Sequence, residues 1–160
     1  MIGIYQQKGL DLYDSISAVI KKYLNINAQN AGFFSLPNDS YNALRQQYDA
    51  KVILKNIAAS NSSKFDYKIG VVNVDIYSQS MNFIFGLADP LKRTALISTY
   101  RLAGDKIIER VSKEVIHEIG HLLGLTHCLN PRCVMCFSNT VENTDNKYVE
   151  FCKKCRSKID

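Results

Sequence analysis

The chain has 160 residues, a formal net charge of +5, 46% hydrophobic residues and 22% charged residues, values typical of one soluble globular domain. No run of five or six like charges is present, so no nucleic-acid-binding arm is indicated. No apolar run reaches the roughly 18 residues of a membrane-spanning helix. The N-terminal residues contain no basic segment followed by an apolar one, which is the pattern of a secretory signal. We therefore expect a soluble, cytoplasmic monomer.

The predicted elements follow from hydrophobic periodicity. Apolar residues that alternate with polar ones or form short runs predict five strands, over residues 2–7, 33–37, 68–77, 82–88 and 94–102. Apolar residues at helical spacing predict three helices, over residues 12–24, 41–59 (with a break at 49–50 as the alternative) and 105–123. Strands mixed with helices, without regular βαβ alternation towards the end of the chain, predict an α/β fold with a mixed sheet.

The last predicted helix carries the motif H-E-x-x-H-x-x-G-x-x-H, which runs from His117 to His127. His117 and His121 are four residues apart and share one face of the helix, so both can bind a single ion. Glu118 points away from this pair, so its carboxylate can reach a metal-bound water instead of the metal. Gly124 can adopt a positive φ and turn the chain so that His127 becomes a third ligand. Three protein ligands leave one position for water, the arrangement of a catalytic zinc.

The cysteines form a second cluster, since all five lie in the last 33 residues. In a chain without a secretory signal, clustered thiols are more often metal ligands than disulfides. Cys133-x-x-Cys136 and Cys152-x-x-Cys155, with 15 residues between them, have the spacing of a zinc ribbon. A redox-active pair is the alternative for each C-x-x-C. The fifth thiol, Cys128, directly follows the last histidine of the motif.

The histidine motif is followed eight residues later by Met135, and this combination is the metzincin signature. With Cys128, Cys133-x-Met135 and Cys152-x-x-Cys155, the chain resembles the archaemetzincins. The resemblance covers about the last 90 residues and includes N-F-I-F-G at 82–86 and S-x-x-R-L at 98–102. It implies a single metzincin-like domain with a mixed twisted sheet, an active-site helix that carries the H-E-x-x-H motif, and Met135 as the hydrophobic floor under the catalytic zinc.

The resemblance also implies a second, structural zinc held by Cys128, Cys133, Cys152 and Cys155. The chain departs from the family pattern in two ways, because one residue fewer separates Met135 from Cys152 and because Cys136 is an additional thiol. Cys136 is therefore the alternative fourth ligand. We expect one domain over residues 1–160: a sheet-and-helix part (1–104), the active-site helix with the third ligand (105–127), and a Cys-rich, zinc-bound subdomain with the methionine turn (128–160).

These features predict a zinc metallopeptidase with two zinc ions per chain, and the resemblance implies a peptide or protein substrate. Zinc lowers the pKa of its water towards ~7, Glu118 accepts the proton as the water attacks the carbonyl, and the proton then passes to the leaving amine. Two alternatives are a zinc-dependent hydrolase of a non-peptide amide and a zinc-stabilised module that binds nucleic acid through a basic tail. The intact Glu118 argues against the module. The basic side chains of that tail are Lys147, Lys153, Lys154, Arg156 and Lys158.

Overall fold

Eight β-strands and five α-helices make up the computed structural model, which describes residues 1–160. The strands are β1 (Ile2–Gln7), β2 (Ala28–Phe34), β3 (Tyr41–Asn42), β4 (Gln47–Asp49), β5 (Tyr67–Val72), β6 (Ile76–Tyr77), β7 (Gly86–Asp89) and β8 (Thr94–Ser98). The helices are α1 (Tyr13–Leu24), α2 (Ala50–Ala58), α3 (Ile107–Leu122), α4 (Val141–Asn146) and α5 (Lys153–Arg156). None of these helices combines the length and the apolar character needed to cross a membrane.

The main sheet has five strands in the order β2-β1-β5-β8-β7. Its pairs are parallel except for β7, which runs antiparallel to β8 and forms one edge of the sheet. A second, three-stranded sheet has the order β3-β4-β6. The predicted α/β fold with a mixed sheet is therefore confirmed.

Successive side chains of the central strands point to opposite faces of the main sheet, so each face has its own part of the core. On one face, Ile69, Val71 and Ile97 pack with residues of α1 and α3 in a cluster of 20 buried residues. On the other face, Val72 and Leu96 pack with α2 in a smaller cluster of seven. The C-terminal segment contributes to the larger cluster, which ties it to α3, through Cys133, Val134, Met135, Phe151 and Cys155.

The predicted helix over residues 41–59 is wrong in its first half. Residues 41–49 form the hairpin of β3 and β4, and only 50–58 are helical. Asn42 Oδ1 accepts a hydrogen bond from the N–H of Arg45 (3.2 Å), and Gln46 has φ +54°, so polar side-chain and turn geometry replaces the helix there. The break expected at 49–50 is the start of α2, since the carboxylate of Asp49 accepts from the N–H of Lys51 (2.9 Å).

Buried polar groups join α3 to the segment that follows it. Lys147 is 1% exposed and Glu114 is 3% exposed. Nζ of Lys147 lies 3.4 Å from Oε1 of Glu114 and donates to the carbonyl of Cys136 (3.1 Å). Thr144 Oγ1 also donates to Oε1 of Glu114 (3.2 Å). Lys147 is therefore not part of an exposed basic tail, because its ammonium is used inside the protein.

Replacing Lys147 with methionine keeps most of the side-chain volume and removes the ammonium. We expect Lys147→Met to lower the free energy of unfolding by about 3–5 kcal/mol, since the carboxylate of Glu114 is then buried without its counter-charge. The double variant Lys147→Met/Glu114→Gln should recover part of that loss, because neither member of the pair is then charged. Urea unfolding of the zinc-loaded protein, followed by circular dichroism, measures both. Equal losses in the single and double variants would contradict the pairing.

Candidate metal centres and active-site cleft

Helix α3 ends in a turn that depends on Gly124. This glycine has φ +95°, which confirms the predicted positive φ and is a conformation that other residues adopt only with strain. Its N–H donates to the carbonyl of His121 (3.0 Å), and the N–H of Leu125 donates to the carbonyl of Gly120 (2.9 Å). These are the two hydrogen bonds of a Schellman motif. The chain therefore reverses directly after α3 and brings His127 back to the other two histidines.

Backbone carbonyls orient the rings of His117 and His121. Nδ1 of His117 lies 2.7 Å from the carbonyl oxygen of Val134. Nδ1 of His121 lies 2.8 Å from the carbonyl oxygen of Leu125. Because a carbonyl can only accept, the neutral form of each ring carries its proton on Nδ1 and presents an unprotonated Nε2. The two Nε2 atoms face each other at 3.1 Å, a separation that suits two ligands of one ion and not a hydrogen bond, since no proton lies between them.

His127 completes the cluster from the loop after α3. Its ring centroid lies 5.3 Å from that of His117 and 4.9 Å from that of His121, and Phe137 packs beside it at 5.2 Å. One ring nitrogen from each histidine falls within a group whose atoms all lie within 4.8 Å of one another. Burial lowers the pKa of all three imidazoles, with the charge of Lys147 as a further cause. Burial therefore favours the neutral form of the rings, which is the form that binds a metal.

Glu118 is buried between α3 and the edge strand β7. Glu118 is 4% exposed, and a Cβ on Gly86 would lie only 2.6 Å from its Oε1, so a larger residue at this point of β7 would displace the carboxylate. Burial, followed by the charge of Glu114, raises the pKa of Glu118 well above its usual range. Oε2 is buried without a hydrogen-bond partner. A buried carboxylate oxygen with no partner, close to three neutral imidazoles, fits a site built for a metal and its water.

The backbone carbonyls of Val134, Met135 and Cys136 each accept a hydrogen bond from a different segment of the chain. The first accepts from Nδ1 of His117 (2.7 Å). The second accepts from the N–H of Cys128 (2.9 Å). The third accepts from Nζ of Lys147 (3.1 Å). The same three residues therefore orient a histidine, the start of the cysteine segment and the buried ion pair.

Met135 packs against the backbone of α3. Its side chain is fully buried, and a Cβ on Gly120 would overlap with its Sδ. Gly120 lies one residue before His121, so the thioether packs directly beneath the turn of the helix that carries the histidine pair. This contact requires a glycine inside the helix, where glycine is otherwise costly.

Four thiols meet beside the loop after α3. Their Sγ atoms lie within 4.8 Å of one another, and the set consists of Cys128, Cys133, Cys152 and Cys155. The N–H of Cys152 donates to Sγ of Cys133 (3.3 Å). A backbone hydrogen bond from Cys155 lowers the pKa of Cys152 to about 7, which favours the thiolate that binds metals, whereas burial raises the pKa of Cys133 and Cys155. Cys136 lies outside this set, with its Sγ 3.8 Å from the carbonyl of the next residue. Of the two sets left open by the sequence, the structure brings together the one with Cys128.

A cleft of about 420 Å³ opens between β7 and the histidines. One wall is apolar and consists of residues 83–88, and the opposite side includes Leu125 and Phe137. The polar floor is formed by His117, Glu118, His121 and His127. Every ionisable side chain that the motif predicts at the active site therefore lines this cleft.

Arginines hold the apolar wall in place. The guanidinium of Arg101 donates to both carboxylate oxygens of Asp75 (2.6 and 2.7 Å) and stacks 4.0 Å from the ring centroid of Phe83. Arg45 donates to two backbone carbonyls of residues 81–82 (2.9 and 3.2 Å). Arg101 belongs to S-x-x-R-L and Phe83 to N-F-I-F-G, so the two upstream motifs meet at the cleft.

The roles of four residues of this region were not predicted from the sequence: Gly86, Gly120, Glu114 and Lys147. The glycines had a usable signal, because a glycine inside a helix or a strand often marks a close approach of another group. The buried pair of Lys147 and Glu114 had no such signal, because a lysine in a polar segment is normally exposed.

Known proteins match this chain over nearly its whole length. A family model described as Peptidase family M54 matches residues 5–160. The archaemetzincin of Pyrococcus abyssi is 41% identical over 93% of this chain and 85% of that protein. The crystal structure of archaemetzincin from Methanopyrus kandleri is similar with a TM-score of 0.90 and 30% identity, and covers 98% of this chain and 91% of that chain. The crystal structure of archaemetzincin from Archaeoglobus fulgidus, complexed with malonate, has a TM-score of 0.87 and 36% identity. It covers 99% of this chain and 100% of that chain.

The family model spans nearly the whole chain, and the similarity to the relatives extends over most of their lengths. The chain therefore belongs to peptidase family M54, the archaemetzincins, and is a zinc metallopeptidase.

Proposed function

We propose that this chain hydrolyses peptide bonds with Glu118 as general base and with a zinc ion held by His117, His121 and His127. The observation that carries the proposal is the position of Glu118, whose unpaired Oε2 is buried and whose side chain lines the same cleft as the three imidazoles. When bound there, zinc supplies a Lewis acid for the carbonyl and lowers the pKa of a coordinated water.

Glu118 would move the proton in this reaction. Its carboxylate accepts the proton of the attacking water at Oε2 and donates it to the leaving amine. Burial of the carboxylate raises its pKa and so strengthens it as a base. The Nδ1 contacts of His117 and His121 hold their Nε2 atoms towards the cleft while this transfer takes place.

The edge strand β7 is the element that would hold an extended substrate. It pairs with β8 on one side only, and residues 86–88 line the cleft. A peptide can add to such an edge through main-chain hydrogen bonds, which are independent of its sequence. This arrangement favours a peptide over a small non-peptide amide, because a small amide would leave the strand edge unused.

The four clustered thiols would hold a second, structural zinc. Four cysteine ligands form a closed tetrahedral site without a position for water. The segment after residue 127 has only two short helices, α4 and α5, so metal binding would supply much of its order. The proposal is therefore two zinc ions per chain with different roles.

Glu118→Gln keeps the size of the side chain and removes the base. We expect cleavage to fall by about 10²–10⁴-fold, the usual contribution of general acid–base catalysis, while the zinc content stays near that of the parent. The measurement is digestion of a peptide library read by mass spectrometry, with metal content by elemental analysis. His121→Ala is the matched control, since it should lose metal and activity together. Equal cleavage by the Glu118→Gln variant and the parent would reject the proposed mechanism.

Cys128→Ser and Cys136→Ser compare a thiol inside the cluster with one outside it. We expect the Cys128→Ser protein, purified without chelators, to contain about one zinc ion per chain, because a structural site needs all four ligands. The Cys136→Ser protein should contain about two. Elemental analysis of both variants checks this. Loss of zinc from Cys136→Ser with retention by Cys128→Ser would show that the zinc-ribbon spacing is the correct ligand set.

A further inference from the structure

A second groove adjoins the active-site cleft. It has a volume of about 720 Å³ and is formed by the loop after α3 together with α5 and the residues next to it. Thr126 and His127 line both the cleft and this groove. An extended chain that crosses His127 can therefore pass from the cleft into the groove without leaving the surface.

The groove is basic. Three lysines line it, Lys153, Lys154 and Lys158, and none of its ten lining residues is acidic. All three lysines are exposed, and none of the chain's ion pairs uses them. By contrast, Lys147, Lys113 and Lys92 are each paired with a carboxylate. Lysine ammonium groups without a partner next to a binding cleft favour anionic ligands.

We propose that this groove takes acidic residues of the peptide substrate, so that the enzyme prefers chains with aspartate or glutamate on the side of the scissile bond that lies over His127. This inference rests on the proposed peptidase function. The competing explanation is that the lysines only balance the charge of a zinc–tetrathiolate site, because Cys128, Cys152 and Cys155 line the same groove. The two explanations differ in what the lysines affect, since one concerns peptide binding and the other concerns retention of the structural zinc.

The test uses zinc-loaded Glu118→Gln protein, which leaves a bound peptide uncut, and two fluorescein-labelled probes, hexaglutamate and hexaglutamine. Fluorescence anisotropy in 10 mM salt should show hexaglutamate binding about 10-fold or more tightly than hexaglutamine. In the triple variant Lys153→Gln/Lys154→Gln/Lys158→Gln, this preference should fall to roughly 2-fold or less, with zinc content unchanged. The preference of the parent should also shrink at 150 mM salt, where the screening length falls from about 30 Å to about 8 Å.

Lys8→Gln/Lys51→Gln/Lys55→Gln is the matched control. It removes the same number of charges from exposed lysines that line neither the groove nor the cleft, so the preference for hexaglutamate should persist. A groove variant that loses zinc but still prefers hexaglutamate would overturn the proposal in favour of charge balance. Tighter binding of labelled hexathymidylate than of hexaglutamate, abolished by the same three substitutions, would overturn it in favour of nucleic-acid phosphate.

Library digestion by the parent enzyme provides the second measurement. Products should be enriched in aspartate and glutamate on one side of the cleaved bond, and the groove variant should lose that enrichment while still cleaving neutral peptides. Cleavage by the parent without any acidic preference would overturn the inference and leave the peptidase function intact. Absence of all cleavage would instead reject the peptidase function, while the comparison of hexaglutamate with hexaglutamine would still decide which ligand the groove takes.

Discussion

The hydrogen bond from Nδ1 of His117 to the carbonyl of Val134 is the contact on which the site depends. It fixes the tautomer of the neutral ring, and the next two carbonyls of the same segment accept from Cys128 and Lys147. A buried imidazole needs such an acceptor, because an unpaired ring N–H in the core is costly. One irregular segment, residues 134–136, therefore links the histidine cluster, the cysteine cluster and the buried ion pair.

This arrangement explains why two clusters of different chemistry lie so close together. His127 and Cys128 are adjacent in the chain, and each contributes to its own cluster. Order imposed on the thiols by a metal would reach His127 through one peptide bond, and the N–H of Cys128 is already held by Met135. The cysteine segment thus acts as a support for the third histidine, which is otherwise exposed on a loop.

The histidine site could be predicted from the sequence because its geometry is set within one helix and one turn. Spacing of four residues aligns His117 with His121, and Gly124 has the positive φ that its position required. The hairpin at 41–49 could not be predicted, because its apolar residues also match a helical period and the turn depends on Asn42. The burial of Lys147 could not be predicted from the sequence either, since its partner Glu114 lies 33 residues earlier in the chain. Contacts between distant segments of the chain, and not the local sequence pattern, determine the structure at such positions.

The most direct test of these relations is a crystal structure of the zinc-loaded protein with anomalous diffraction at the zinc edge. We expect two anomalous peaks, one among the Nε2 atoms of the three histidines and one among the four Sγ atoms, with Nδ1 of His117 still on the carbonyl of Val134. Zinc–ligand distances should be about 2.0–2.1 Å to nitrogen and about 2.3 Å to sulfur. A single peak, or a peak ligated by Cys136 in place of Cys128, would contradict the assignment of two zinc ions to these two ligand sets.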